Sequence, residues 1–115
     1  MLFYTHEDCL AHEMQPGHME RPDRLAAVLA HLDDTGLIRH MDARVAPAAE
    51  LSTLQAAHRS DYLAALEAIS PSEGLAVVDP DTSLCPKSLD AASRAAGAVN
   101  AAVDEVVEGN ATRAF

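Results

Sequence analysis

The chain has 115 residues, the length of one small domain, and 49% of them are hydrophobic, which is enough for a buried core and argues against disorder. Only four residues are aromatic, so the apolar surface depends largely on alanine and favours packing against a larger neighbouring surface. Eighteen acidic and eight basic side chains give a formal net charge of -10, which repels phosphate backbones and excludes direct nucleic-acid binding as the leading function.

The first residues, MLFYTHEDC, predict a short buried strand over residues 2–5, because they combine apolar and β-prone side chains. Acidic residues and histidines stand where a secretion signal needs a basic flank and a long apolar run. No stretch approaches the roughly twenty apolar residues of a membrane span. Cys9 and Cys85 lie far apart without a CxxC pair, which favours a reducing compartment. We therefore expect a cytoplasmic chain that does not bind a membrane.

Residues 6–22 are rich in histidine and interrupted by glycine and proline, which predicts a loop. His6, His12 and His18 recur every six residues, a spacing unlike that of an HExxH helix pair or a compact Cys/His finger. The favoured interpretation is that these loop histidines form hydrogen bonds to the backbone. The alternative is a structural metal site formed by Cys9, His12 and His18.

A helical pattern begins at Arg21. Pro22 fits the first turn of a helix, and Gly36 provides a left-handed stop. The apolar residues of this predicted helix share one face: Leu25, Val28, Leu29 and Leu32. The two guanidinium groups at its entrance, Arg21 and Arg24, can pair with carboxylate side chains there and fix the preceding loop.

The middle of the chain predicts a short strand followed by two short helices. Residues 45–46 are β-prone and precede a proline. Ser52 with Gln55 fits a capping box, and Ser60 followed by an aspartate fits a second helix start. We expect the two helices to join at His58.

Residues 70–86 carry three prolines and a glycine around a short apolar run, which predicts a mostly irregular, exposed loop that carries function. The segment VDPDT places Asp79 and Asp81 on either side of Pro80. Two such carboxylates can bind a cation, accept substrate amide protons or cap the next turn. The residues alone favour capping.

A long final helix is predicted from about Ser88 to Glu108, ending at Gly109. Its apolar residues recur at intervals of four and three: Ala92, Ala96, Val99, Val103 and Val106. Gly97 in its interior costs about 1 kcal/mol relative to alanine, which indicates close packing on a neighbouring element. Alternating short strands and helices predict an α/β layer arrangement, although these strands do not complete a parallel sheet.

Taken in order, four segments resemble the histone deacetylase family, which includes bacterial acetylpolyamine amidohydrolases and histone-deacetylase-like amidohydrolases. CLAHEMQPGHMERPDRL is similar to the first loop and helix, with the signature His-Pro-Glu-x-Pro-x-Arg-Leu, and LSTLQAAHRSDYLAAL is similar to the Leu-x-x-x-His-x-x-x-Tyr-Leu element. VDPDT and SLDAASRAAGAVNAAVDEVVEG resemble the Asp-x-Asp-Thr loop, in its class II and bacterial form, and the Ala/Gly-rich helix behind it. Met19 departs from the pattern, because the family usually has proline there.

The resemblance implies that residues 1–115 are the N-terminal portion of a single deacetylase domain. Its fold would be the arginase/deacetylase-like three-layer α/β/α arrangement with a mostly parallel sheet, helix-rich in this part. The implied activity is zinc-dependent hydrolysis of acetyl-lysine or acetylpolyamine. The zinc ligands, the tandem histidine pair and the catalytic tyrosine would all follow residue 115, so these residues hold no catalytic group and are expected to bind no zinc.

Within this portion, the resemblance places Asp79 at the rim of the substrate pocket, where it would accept hydrogen bonds from substrate backbone amides. His18 and Glu20 align with the first loop and are further rim candidates. Asp81, Thr82 and His58 keep a structural interpretation.

The competing hypothesis is a non-catalytic acidic interaction module whose Ala/Val helix docks onto a partner. In either case, the chain by itself lacks the sheet that its last helix should cover. We therefore predict low stability and an exposed apolar surface along Ala92, Val99, Val103 and Val106.

Overall fold

The predicted first strand lies in a small parallel sheet in the computed structural model, which describes residues 1–115. β1 (Leu2–Thr5) pairs in parallel with β2 (Asp42–Val45). The prediction of a strand over residues 45–46 was too short and too late, because alternating polar residues at a sheet edge pair through their backbone without an apolar signal. Leu2 and Phe3, each only 3% exposed, anchor the core.

The other edge of β1 is occupied by the last residues of the chain. Leu2 forms a parallel bridge with Ala114, and its N–H donates to the Arg113 carbonyl at 3.1 Å. The N–H of Phe115 donates to the Leu2 carbonyl at 2.9 Å. The Phe115 ring stacks on Phe3 with ring centroids 5.8 Å apart. β1 is therefore an internal strand, and the predicted α/β class is confirmed.

Four α-helices follow the predicted order. They are α1 (Pro22–Asp34), α2 (Leu51–Ala57), α3 (Ser60–Ile69) and α4 (Ser88–Val107), with short 3-10 helices at Glu7–Ala11 and Leu37–His40. Gly36 has φ 73° and Gly109 has φ 81°, as expected of residues that end α1 and α4 in the left-handed region. Two short helices joined at His58 are confirmed.

The predicted capping box is wrong. α2 begins at Leu51, one residue before Ser52, and its extended N-cap residue is Glu50, with no side-chain cap. Ser52 therefore lies inside the helix, where its hydroxyl is not placed to accept the free backbone N–H groups of the first turn. At the start of α3, the Asp61 carboxylate instead accepts the Tyr62 N–H at 2.9 Å.

Residues 70–86 are mostly irregular, as predicted, but they also contain a β-hairpin that the sequence did not predict. β3 (Ala76–Asp79) pairs antiparallel with β4 (Thr82–Leu84), and Pro80 and Asp81 form the connection. The prolines misled the prediction because all of them lie outside the two strands, where they do not interrupt the ladder. The exposure of this segment at its tip is as predicted.

Gly97 marks the closest approach between α4 and the chain after β2. A Cβ at this position would overlap the Pro47 carbonyl oxygen and lie 2.8 Å from both the Ala48 carbonyl carbon and the Ala49 nitrogen. The Ala49 N–H donates to the Ser93 carbonyl of α4 at 3.0 Å. The predicted close packing at Gly97 is confirmed.

One face of α4 remains uncovered. Val99 and Val103 are 63% and 53% exposed, and with Tyr4 and Phe115 they line an apolar groove of about 550 Å³. Val106 is exposed as well, so the predicted apolar surface is present. No helix in the structure combines the length and apolarity needed to cross a membrane.

Candidate functional site

A groove of about 980 Å³ lies between the first loop, α3, the β3–β4 hairpin and the first turns of α4. Its apolar wall includes Met14, Leu66, Val78, Leu84 and Leu89. All three rim candidates predicted from the sequence, Asp79, His18 and Glu20, line this groove. The fold thus brings the first loop and the hairpin together around one cavity.

The His18 ring connects the two walls of this groove. Its Nδ1 accepts the Glu20 N–H at 3.0 Å within the first loop. The Nε2 lies 3.0 Å from the Asp81 Oδ1 on the hairpin, so a proton on Nε2 lets the ring bond both walls at once. The Asp81 carboxylate raises the pKa of His18 above its ordinary value, and the Glu20 carbonyl oxygen, 3.3 Å from Nδ1, acts in the same direction.

Asp79 ends β3 at the exposed tip of the hairpin. Its Oδ1 accepts the Asp81 N–H at 2.8 Å, which closes the turn over Pro80. Its Oδ2 makes no hydrogen bond or ion pair within the chain, and the residue lines the groove. Asp79 therefore caps its own turn with one oxygen while the other can accept a further donor.

Glu20 is held by an ion pair across the entrance of α1. Its carboxylate accepts a hydrogen bond from the Arg24 guanidinium one turn later, as predicted for this entrance. Both side chains are more than half exposed, so this pair orders the loop more than it stabilises the fold. Met19, the residue that departs from the family pattern, is 83% exposed and does not pack in the core.

The alternative metal site is wrong, because its three side chains do not converge. The Cys9 thiol points to a backbone carbonyl of α4, and the His12 Nδ1 lies 2.8 Å from the Ser88 Oγ. His18 turns to the hairpin instead. No group of three His, Cys, Asp or Glu side chains in the structure is placed to hold a metal ion. Of the loop histidines, His6 and His18 accept a backbone N–H as expected, whereas His12 pairs with the Ser88 hydroxyl.

The sequence predicted only a structural role for Asp81 and did not indicate its contact with the first loop. The prediction that a carboxylate caps this turn is correct for Asp79. It does not indicate that Asp81 contacts His18, which lies 63 positions away in the chain. No local signal encodes such a contact, because it depends on how the first loop docks on the hairpin. Tyr62 and Leu66 of α3 also line the groove without having been predicted to do so.

Asp81→Asn is expected to lower the pKa of His18, because it removes the charge that favours the imidazolium. The pKa of His18 in the folded chain is raised, so stabilisation from this pair is fully present below about pH 6.5, the ordinary histidine value, and is lost as the pH rises through the raised value. Titration of the His18 Cε1–H resonance by NMR measures both pKa values. Asp90→Asn on α4, which removes an equal charge away from the loop, should leave the His18 titration unchanged; an equal shift in both variants would contradict the assignment.

Comparison with known proteins gives consistent matches. A family model described as the histone deacetylase domain matches residues 18–115. The histone deacetylase-like amidohydrolase of Pseudomonas aeruginosa is 32% identical over 99 residues, which cover 86% of this chain and 26% of that protein. The crystal structure of the HDA15 HD domain superposes with a TM-score of 0.90 and 27% identity, over 100% of this chain and 35% of that chain. The chain thus spans about a quarter of the first protein and a third of the second.

Proposed function

Because the chain belongs to the histone deacetylase family, we propose that residues 1–115 are the N-terminal part of a zinc-dependent deacetylase domain. At the level of the family, the activity is that of a deacetylase or amidohydrolase. The proposed reaction is hydrolysis of the acetyl amide of acetyl-lysine or acetylpolyamine. The match over residues 18–115, together with the likeness to an HD domain over the whole chain, supports this proposal.

The contribution of these residues is a substrate-binding rim with helices behind it. The observation that carries this proposal is the convergence of Asp79, His18 and Glu20 on one groove. Asp79 offers an exposed carboxylate oxygen that can accept hydrogen bonds from substrate backbone amides. An apolar wall beneath it suits the aliphatic stem of an acetylated lysine or polyamine.

Zinc does not fit the residues of this chain, because no three ligating side chains converge. The family resemblance supports metal ligands and catalytic groups that lie outside residues 1–115, and no chemical step is assigned to the residues described. The proposed location is the cytoplasm, which agrees with the two free thiols of Cys9 and Cys85.

The test is hydrolysis by the longer protein that contains this sequence. Loaded with zinc, it should release acetate from an acetyl-lysine peptide or an acetylpolyamine, and the metal-free protein should not. Asp79→Ala should raise the KM for the peptide at least about tenfold, since a hydrogen bond to a charged group contributes roughly 1.5–3 kcal/mol. Steady-state kinetics on both substrate classes measures these effects.

Asp90→Ala provides the control, because it removes an exposed carboxylate on α4 that does not line the groove. Its KM should equal that of the parent protein. Absence of hydrolysis of every acetylated substrate by the zinc-loaded protein would contradict the enzymatic proposal. An unchanged KM in Asp79→Ala would contradict only the role of Asp79.

The uncovered face of α4 is the observation that favours the second candidate, a non-catalytic interaction module. In that function, Val99 and Val103 would contact another protein rather than the rest of the same domain. The hydrolysis assay separates the two candidates, since an interaction module gives no acetate release with or without zinc.

A further inference from the structure

His18 joins two segments that are distant in sequence and adjacent in space. One ring nitrogen accepts the Glu20 N–H of the first loop at 3.0 Å, and the other lies 3.0 Å from the Asp81 carboxylate of the hairpin. The His18 side chain is 21% exposed, whereas the Asp81 side chain is 94% exposed. The contact therefore joins a largely buried imidazole of the first loop to an exposed carboxylate of the hairpin.

The same hairpin turn transmits this contact to Asp79. The Asp81 N–H donates to the Asp79 Oδ1 at 2.8 Å. Asp81 therefore contacts His18 through its carboxylate and Asp79 through its backbone. One oxygen of Asp79 is thereby fixed, and Oδ2 is left for a further donor.

We propose that His18 and Asp81 are positioning residues, which together hold the Asp79 carboxylate in the orientation that accepts the substrate's backbone amides. This proposal rests on the proposed function, because it requires Asp79 to meet the substrate. An exposed aspartate at a hairpin tip samples several rotamers, and ordering it on binding weakens affinity. A side chain ordered before binding avoids that loss.

The experiment uses the zinc-loaded longer protein and two acetyl-lysine peptides, one with free backbone amides and one in which the amides flanking the acetyl-lysine are N-methylated. His18→Ala and Asp81→Ala should each raise the KM for the free-amide peptide about three- to tenfold, because Asp79 must then be ordered on binding. Neither should change the KM for the methylated peptide, which cannot donate to Asp79. The effect should appear in KM rather than in kcat.

Two conservative variants separate positioning from general structure. His18→Gln keeps an N–H donor near the place of Nε2 and should retain most of the parent KM. His18→Asn can replace Nδ1 but cannot reach Asp81, so it should behave like His18→Ala. Asp81 is 94% exposed, so Asp81→Ala should fold normally, and a thermal melt verifies this.

Each outcome assigns a cause. When Asp79→Ala raises the KM for the free-amide peptide but His18→Ala and Asp81→Ala do not, the positioning proposal alone fails. When Asp79→Ala has no effect, the proposed rim role fails with it. An equal rise of KM on both peptides in His18→Ala would also overturn the proposal, because His18 would then act independently of the substrate amides. If the proposal is right, the KM of the double variant His18→Ala/Asp79→Ala for the free-amide peptide should be no higher than that of Asp79→Ala alone.

Discussion

Gly97→Val is expected to lower the free energy of unfolding of the chain by about 3 kcal/mol, because its side chain must displace backbone rather than side-chain atoms. A Cβ at Gly97 already overlaps the Pro47 carbonyl oxygen and approaches Ala48 and Ala49 to 2.8 Å. Accommodating it moves the segment that follows β2 away from α4 and breaks the hydrogen bond between the Ala49 N–H and the Ser93 carbonyl. Urea unfolding followed by circular dichroism measures the loss.

Asp104→Val is the matched control, since it places the same side chain at an exposed position of α4. Its cost should stay below about 1 kcal/mol, because valine and aspartate have similar helix propensities. Gly97→Ala should fall between the two variants, because alanine gains about 1 kcal/mol of helix propensity while still clashing. Equal stabilities for Gly97→Val and Asp104→Val would show that α4 does not approach this segment as closely as described.

Phe3→Ala is expected to destabilise the chain by about 3–5 kcal/mol, the usual cost of truncating a buried aromatic side chain. Phe3 is 3% exposed in the internal strand β1 and stacks on Phe115. Even a complete small domain has a total stability of only roughly 5–15 kcal/mol, and this chain is predicted to be less stable, so the variant should lose its cooperative transition or melt at least about 10 °C lower. Thermal unfolding followed by far-ultraviolet circular dichroism checks this.

Val45→Ala controls for changes of β-propensity on the same sheet, because Val45 lies in the neighbouring strand β2 and is 74% exposed. Its cost should be less than about 1 kcal/mol. Should Phe3→Ala and Val45→Ala melt at the same temperature, the assignment of Phe3 to the core would be wrong.

The helices were the most predictable part of the fold, since their signals are local. Pro22 and Gly36 bound α1, and the four-and-three spacing of small apolar residues determines α4 up to Gly109. The β3–β4 hairpin was not predicted because prolines usually indicate irregular structure. Pro80 instead lies in the turn between two paired strands. β2 was underestimated because edge strands pair through their backbone without a continuous apolar run.

The site was predictable only in part. Motif resemblance named Asp79, His18 and Glu20, and the structure places all three on one groove. The contact between His18 and Asp81 depends on the docking of two distant segments, which periodicity and capping rules do not describe. Local composition gave three thiol and imidazole groups in one loop, but the side chains diverge because each finds a separate hydrogen-bond partner.

The bridge between Leu2 and Ala114 has a consequence for biosynthesis. The apolar strand β1 leaves the ribosome long before residues 113–115, which form one of its two neighbours. At translation rates of about 5–20 residues per second, that interval is on the order of 5–20 s. Closing so long a loop is also slow once the partner is available. Residues 2–5 of the nascent chain therefore need shielding during this interval, and they form the segment that a chaperone of extended apolar sequences would bind.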